Sequence, residues 1–229
     1  MKTIGLIGGM SWESSAQYYS FINRKINSEL GNSSSAKCLM YSFNFQDIEE
    51  KQHAGKWDEL KTLLYDTAEK LHAAGADFIV LCTNTMHKVM DNFEADTGIP
   101  FLHIGDAAGK ALKKDGIKKT GLLGTRFTME EDFYRKRLDE KYSIRTVIPE
   151  NADRETVHRI IYEELVRGII SDTSRNELSG IMEKLIEAGA EGIILGCTEI
   201  GLLVKEADFK LYDSMIIHAD EAVRAALRD

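Results

Sequence analysis

The chain is predicted to be an α/β protein built as two similar halves, each a parallel sheet covered by helices. Three observations lead there. Apolar runs of strand length alternate with amphipathic stretches of helix length along the 229 residues. The segment Ala74-Gly75-Ala76-Asp77-Phe78-Ile79-Val80-Leu81-Cys82-Thr83-Asn84-Thr85 aligns without a gap on Ala188-Gly189-Ala190-Glu191-Gly192-Ile193-Ile194-Leu195-Gly196-Cys197-Thr198-Glu199. Lys118 to Thr125 also echoes Lys2 to Gly9, at an offset of 116 against 114 for the longer repeat. Near-equal offsets argue for duplication rather than two accidental strand matches.

The elements follow in order. Thr3–Ile7 reads as a buried strand that ends in a Gly8-Gly9 turn. A helix comes next, with Ser11 as N-cap and Trp12, Ala16, Tyr19, Ile22, Ile26 and Leu30 assigned to its apolar face. Cys38–Phe45 is the second strand, and Gln52 falls on a polar loop. Trp57, Leu60, Leu64, Leu71 and Ala74 mark a long helix leading into the strand Phe78–Cys82. Ile99–Ile104 is the fourth strand, and residues 104–117 form a compact crossover. In the second half, Met129–Tyr142 and Ala152–Ile170 are predicted helices with Tyr142–Ile148 a strand between them. Asn176–Ala188, Lys210–Asp213 and Met215–Leu227 complete the chain as helix, strand and helix. The predicted domains are 1–105, joined by the C-terminal helix 212–229, and 106–211.

Composition narrows the function. The net charge is −8 with no basic cluster, which argues against nucleic acid and anionic membrane surfaces. Three widely spaced cysteines (Cys38, Cys82, Cys197) suggest neither a disulfide framework nor a zinc set, and fit a reducing, cytoplasmic setting. The apolar start is too short for a secretory leader, and no run reaches membrane-spanning length. Gly5-x-x-Gly8-Gly9 is not a dinucleotide fingerprint, and no metal-ligand spacing occurs around His103 or His218. His87 is expected to orient a substrate, to pair with Glu94, or simply to be solvated or satisfied.

Chemistry is expected where parallel strands end, because ligands of such sheets sit beyond the carboxyl ends, at helix N-termini. The repeat puts Thr83 opposite Cys197, so a hydroxyl and a thiol leave equivalent strands. Strand alternation sends Cys82 to the other side, which makes it a packing residue. Asn84, Thr85, Thr198 and Glu199 are expected to open turns or helices whose N–H groups hold a small anion, and such a terminus would lower the Cys197 pKa.

At these residues the chain resembles the aspartate/glutamate racemase family, which works without pyridoxal phosphate. The resemblance covers essentially the whole chain. It is carried by Gly8-Gly9-Met10-Ser11, Cys82-Thr83-Asn84-Thr85-Met86-His87, Pro100-Phe101-Leu102-His103-Ile104, Leu123-Gly124-Thr125 and Gly196-Cys197-Thr198-Glu199. It implies two Rossmann-like or flavodoxin-like subdomains related by a pseudo-two-fold duplication, a homodimer, and no cofactor or metal. It further implies racemisation of L- and D-aspartate or glutamate by two-base proton transfer, with Thr83 and Cys197 catalytic. Met10, Gln52, Asn84, Thr85, Thr198 and Glu199 would then form the substrate set. Most members use two cysteines; Thr83 in place of the first resembles a Thr/Cys subgroup acting on L-aspartate and L-glutamate or on several amino acids. Broad-specificity racemisation, single-cysteine decarboxylation and amino-acid binding without turnover are the alternatives. Arg126 and Arg167 are conceivable partners for a substrate side-chain carboxylate.

Overall fold

The computed structural model describes residues 1–228. The chain divides into two compact units, Met1–His103 with the segment from His218 onward, and Ile104–Ile217. The first contains β1 (Ile4–Gly8), α1 (Trp12–Leu30), β2 (Cys38–Ser42), α2 (Phe45–His53), α3 (Trp57–Ala73), β3 (Phe78–Leu81), α4 (Phe93–Thr97) and β4 (Phe101–Leu102). The second contains α5 (Ile104–Lys114), β5 (Lys119–Gly124), α6 (Arg126–Glu130), α7 (Asp132–Tyr142), β6 (Arg145–Val147), α8 (Asn151–Arg159), α9 (Asp172–Glu187), β7 (Ile193–Gly196), α10 (Ile200–Leu203) and β8 (Leu211–Asp213). Helix α11 (Ser214–Leu227) starts in the second unit and ends in the first. Among the described residues, no helix is long and apolar enough to cross a membrane.

Each unit holds a four-stranded, all-parallel sheet, ordered β2-β1-β3-β4 and β6-β5-β7-β8. The expected α/β architecture with two parallel sheets is therefore present, and the duplication extends to the register. Gly5 pairs with Ile79, and Gly121 pairs with Ile193. A methyl group on Gly5 would lie 2.7 Å from Ile79 Cδ1, and one on Gly121 would lie 2.4 Å from Ile193 Cδ1. The same isoleucine thus fills the same missing side chain in both sheets.

Central strands buried on both faces must be apolar throughout, as β1, β3 and β7 are. In the first unit Ile7, Ile79 and Leu81 pack with Ile48 of α2 and with Leu60, Leu64, Ala68 and Leu71 of α3. In the second, Leu123, Ile193 and Leu195 meet α8 and α9 through Val157, Leu178, Ile181 and Leu185. Leu122, Ile194 and Tyr212 face α5 and α7 through Ala108, Leu112, Tyr134 and Leu138.

Several elements differ from expectation. On α1 the inward residues are Ser14, Ser15, Tyr18, Ile22 and Ile26, whereas Trp12, Ala16, Tyr19 and Leu30 are exposed. The stripe is rotated because Ser14 and Ser15 turn inward to bond neighbouring backbone, which apolar periodicity does not register. The strand Cys38–Phe45 stops at Ser42, and Gln52 lies on helix α2 rather than on a loop. That helix buries only Ile48 and Gln52, too few apolar positions to reveal a period. The strand Ile99–Ile104 shrinks to Phe101–Leu102, and the crossover is helix α5. The helix Met129–Tyr142 breaks at the extended residue Glu131. Ala152–Ile170 passes from α8 into a π-helical turn (Ile160–Glu164) and a 3-10 turn that ends at left-handed Gly168.

The two ends of the first unit are tied through His218, a fully buried residue of α11. Its Nε2 lies 2.9 Å from the Leu102 carbonyl and its Nδ1 3.0 Å from the Tyr18 hydroxyl. A carbonyl only accepts, so Nε2 carries the proton and Nδ1 receives the tyrosine O–H. Burial lowers the His218 pKa from 6.5 to about 4. Between those values the unfolded chain binds a proton that the folded chain refuses, so stability falls as pH drops through this window and levels off below it. The loss expected from this group is about 3 kcal/mol at most. Urea midpoints measured from pH 7 to pH 4 should show a flatter pH dependence in His218→Gln than in the parent.

Candidate active site

In the first unit the carboxyl ends of β1 and β3 lie side by side, and each runs into a tight turn. After β1, Gly9 has φ +85°, and a side chain there would meet the Phe43 carbonyl oxygen at 2.2 Å, so only glycine fits. Ser11 caps α1 by accepting from the Ser14 N–H at 3.3 Å. Ser15 Oγ accepts from Gly9 N–H and donates to the Ser11 carbonyl, both at 2.8 Å. Together these bonds fix the backbone around Met10, which is buried.

After β3 the chain continues through Cys82 and Thr83 into a 3-10 turn, Thr85–Val89. Thr83, Asn84 and Thr85 are all buried polar residues. Gln52, from α2, is buried as well and donates to Met86 Sδ at 3.1 Å. Met10, Gln52, Thr83, Asn84 and Thr85 thus belong to one end of one sheet. His87 does not pair with Glu94, whose carboxylate accepts from the Phe101 N–H; its Nδ1 lies 2.8 Å from the Thr83 carbonyl. Cys82 is fully buried, with a pKa pushed up by that burial.

The second unit repeats the layout. Gly124 of β5 pairs with Gly196 of β7, and a side chain on Gly124 would come within 2.8 Å of the Gly196 carbonyl. Thr125 caps α6 by accepting from Thr128 N–H. Cys197 Sγ donates to Glu199 Oε2 at 3.0 Å, and Thr198 Oγ1 donates to the same oxygen at 2.8 Å. Cys197, Thr198 and Glu199 form one buried hydrogen-bonded group. Arg126, just beyond Thr125, is exposed and lies 3.4 Å from Glu130.

The expectation that a helix N-terminus lowers the Cys197 pKa is overturned. The pKa is raised well above 9.0, first by burial and then by the charge and hydrogen bond of Glu199. Backbone N–H groups of Glu199 and Ile200 pull the other way and lose. The following helix has only four residues, too short to build a substantial dipole. The resting group is therefore a thiol donating to a carboxylate. Among the described residues, no group of three or more His, Cys, Asp or Glu is placed to hold a metal ion.

Residues 7–222 match the family described as Asp/Glu/Hydantoin racemase. The chain belongs to that family. A structure from Yersinia pestis, assigned provisionally as an Asp/Glu racemase, is 51% identical with a TM-score of 0.92, and the whole of both chains is covered. An aspartate racemase homologue from Pyrococcus horikoshii OT3 is 35% identical with a TM-score of 0.84, again over both whole chains. The broad specificity amino-acid racemase RacX of Bacillus subtilis (strain 168) is 25% identical over 179 residues, 74% of each protein. The resemblance carried by the glycine turns and the two repeated motifs is thereby borne out, and the protein is an isomerase of the racemase class.

A carboxylate beside a thiol disfavours the thiolate, so neutralising it should lower the cysteine pKa while burial still holds it above the ordinary value. Thiolate absorbance of Glu199→Gln, titrated against a Glu199-containing control with both chains carrying Cys38→Ser and Cys82→Ala, should rise at lower pH. An unchanged or higher titration midpoint contradicts this reading of the pair.

Proposed function

We propose that this family member interconverts the L and D forms of aspartate or glutamate without a cofactor, moving the α-proton between Cys197 and Thr83 on opposite faces of the substrate carbon. The observation that carries the reading is the equivalence of the two positions. Each lies two residues beyond an equivalent leucine, Leu81 paired with Ile7 and Leu195 paired with Leu123, and three successive strand pairs match between the two sheets.

The chemistry follows from the groups present. Glu199 accepts the Cys197 thiol proton across the existing hydrogen bond, which leaves a thiolate. The thiolate takes the α-proton: the C–H bond breaks, an S–H bond forms, and the electron pair spreads into the substrate carboxylate. The Thr83 hydroxyl then gives its proton to the other face and regains one from water, and the proton held by Glu199 goes to the hydroxide so formed, which restores the starting carboxylate and thiol. Thr83 suits donation better than abstraction, because its hydroxyl is far less acidic than a thiol and the imidazole nearest to it in sequence is committed to its carbonyl.

Met10, Gln52, Asn84, Thr85 and Thr198 are proposed to bind the substrate. Donors aimed at the α-carboxylate as it gains enediolate character would each lower the barrier by about 3 kcal/mol. This is how the reaction proceeds with no imine to hold the charge. A homodimer acting in the cytoplasm on free amino acids completes the proposal.

Because the two enantiomers have equal free energies, kcat/KM must be equal in the two directions, and the Thr/Cys asymmetry shows only in kcat and KM separately. The test is proton NMR in heavy water across a panel of L- and D-amino acids. Solvent deuterium at the α-carbon with accumulation of the opposite enantiomer, strongest for aspartate or glutamate, is the expected result. Comparable rates on neutral and basic amino acids would favour a broad range like that named for RacX. No exchange with any member of the panel would sink the reading.

Cys197→Ser should depress interconversion from both enantiomers by about 10²-fold or more, the usual weight of a positioned acid or base. Thr83→Cys should raise kcat from the slower enantiomer. Both effects are read from initial rates by polarimetry.

A further inference from the structure

We propose that His87 is a positioning residue for proton transfer at Thr83, holding the Thr83 carbonyl through its Nδ1–H and so fixing the backbone from which the hydroxyl projects. This rests on the racemase reading above and adds a residue to it. The Nδ1 to carbonyl distance is 2.8 Å. A carbonyl oxygen only accepts, so the proton sits on Nδ1 and the tautomer is set.

The location gives the bond its purpose. Strand β3 ends at Leu81, and the helical bonding that follows starts with His87 N–H to the Asn84 carbonyl at 3.0 Å. Thr83 falls between the two, where neither regular ladder fixes it. The imidazole takes up its carbonyl from a side chain that is itself immobilised. His87 is fully buried, with ring centroids of His103 at 4.5 Å, Phe101 at 5.5 Å and His218 at 5.8 Å. His218 is bonded through both ring nitrogens, and His103 Nε2 lies 3.4 Å from Asp91 Oδ1. Three imidazoles and a phenyl ring therefore form a block behind the turn. A reacting group displaced by about 1 Å can lose about 10²-fold in rate, so a rigid anchor at this carbonyl has catalytic weight.

A histidine that only fills space would lower every step together when replaced. A histidine that positions Thr83 should separate the two half-reactions. The experiment uses His87→Leu, His87→Asn and His87→Gln in the full chain, with both enantiomers of aspartate and glutamate in heavy water. Two rates are read: deuterium entry with retention, which needs only Cys197, and inversion, which needs Thr83 as well. His87→Leu should lose about 10²-fold in inversion while retention exchange from the enantiomer that Cys197 deprotonates stays within a few-fold of the parent. His87→Asn, whose amide N–H sits where Nδ1–H does, should recover most of the inversion. His87→Gln keeps a buried donor but moves it by one methylene, and should give an inversion-to-exchange ratio between those of parent and His87→Leu. If His87→Leu does not fold, the comparison of His87→Gln with His87→Asn decides by the same ratio. Equal losses in both rates, or a parent-like ratio in His87→Gln, overturn the assignment. A parent that exchanges no α-proton at all overturns the racemase reading and this inference with it.

Discussion

The packing of one isoleucine over one missing side chain, made once in each sheet, is the constraint from which the site follows. Ile79 lies over Gly5 and Ile193 over Gly121, and any larger residue on the glycine side would collide with the isoleucine methyl. A slip of one residue in either strand would move Ile79 and Ile193 off these glycines and opposite neighbours that carry side chains, Ile4 or Leu6 in the first sheet and Thr120 or Leu122 in the second. The register is therefore pinned twice by the same device. With it pinned, Thr83 and Cys197 each emerge two residues beyond an equivalent leucine, Leu81 and Leu195, although β7 runs one residue further than β3.

What the turns do with those two positions is not symmetric. The second unit surrounds its thiol with a buried carboxylate that accepts from both Cys197 and Thr198. Burial and the nearby negative charge both keep the proton on sulfur, against two backbone N–H groups. In the proposed mechanism such a site has its acid ready and must make its base on demand, with Glu199 taking the proton across the hydrogen bond it already makes. The first unit instead sets its histidine against the backbone of the turn, at the Thr83 carbonyl. On the proposed reading, one half supplies an acid–base pair and the other a held proton source.

The sequence reveals the halves more readily than the fittings. The repeat is readable because both copies of the buried strand are apolar and carry the same small residues before it, so alignment alone recovers Thr83 opposite Cys197. The face of α1 is misread because its inward side is led by Ser14 and Ser15, which serve the Gly9 turn through Ser15 Oγ. Gln52 is missed as a buried residue because α2 offers only Ile48 beside it. The raised Cys197 pKa is missed for a different reason. Helix dipole, carboxylate and desolvation compete at one atom, and only distances decide that the last two win. The adjacent Glu199 was visible in the motif, but whether it faced the sulfur was not.

The threonine raises a physical question that the duplication does not answer. Replacing a thiol by a hydroxyl in one of two equivalent positions removes most of the basicity there while leaving a proton to give. For a reaction whose equilibrium constant is one, this cannot make the enzyme one-way. In the proposed mechanism it can only redistribute cost between the two bound states, so that the enantiomer deprotonated by Cys197 would turn over faster with a larger KM and its mirror slower with a smaller one. The asymmetry also makes precision at Thr83 more demanding than at Cys197. A hydroxyl that is a poor acid transfers its proton usefully only when it already points at the carbanion, and on the proposed reading a turn held by a buried imidazole meets that demand.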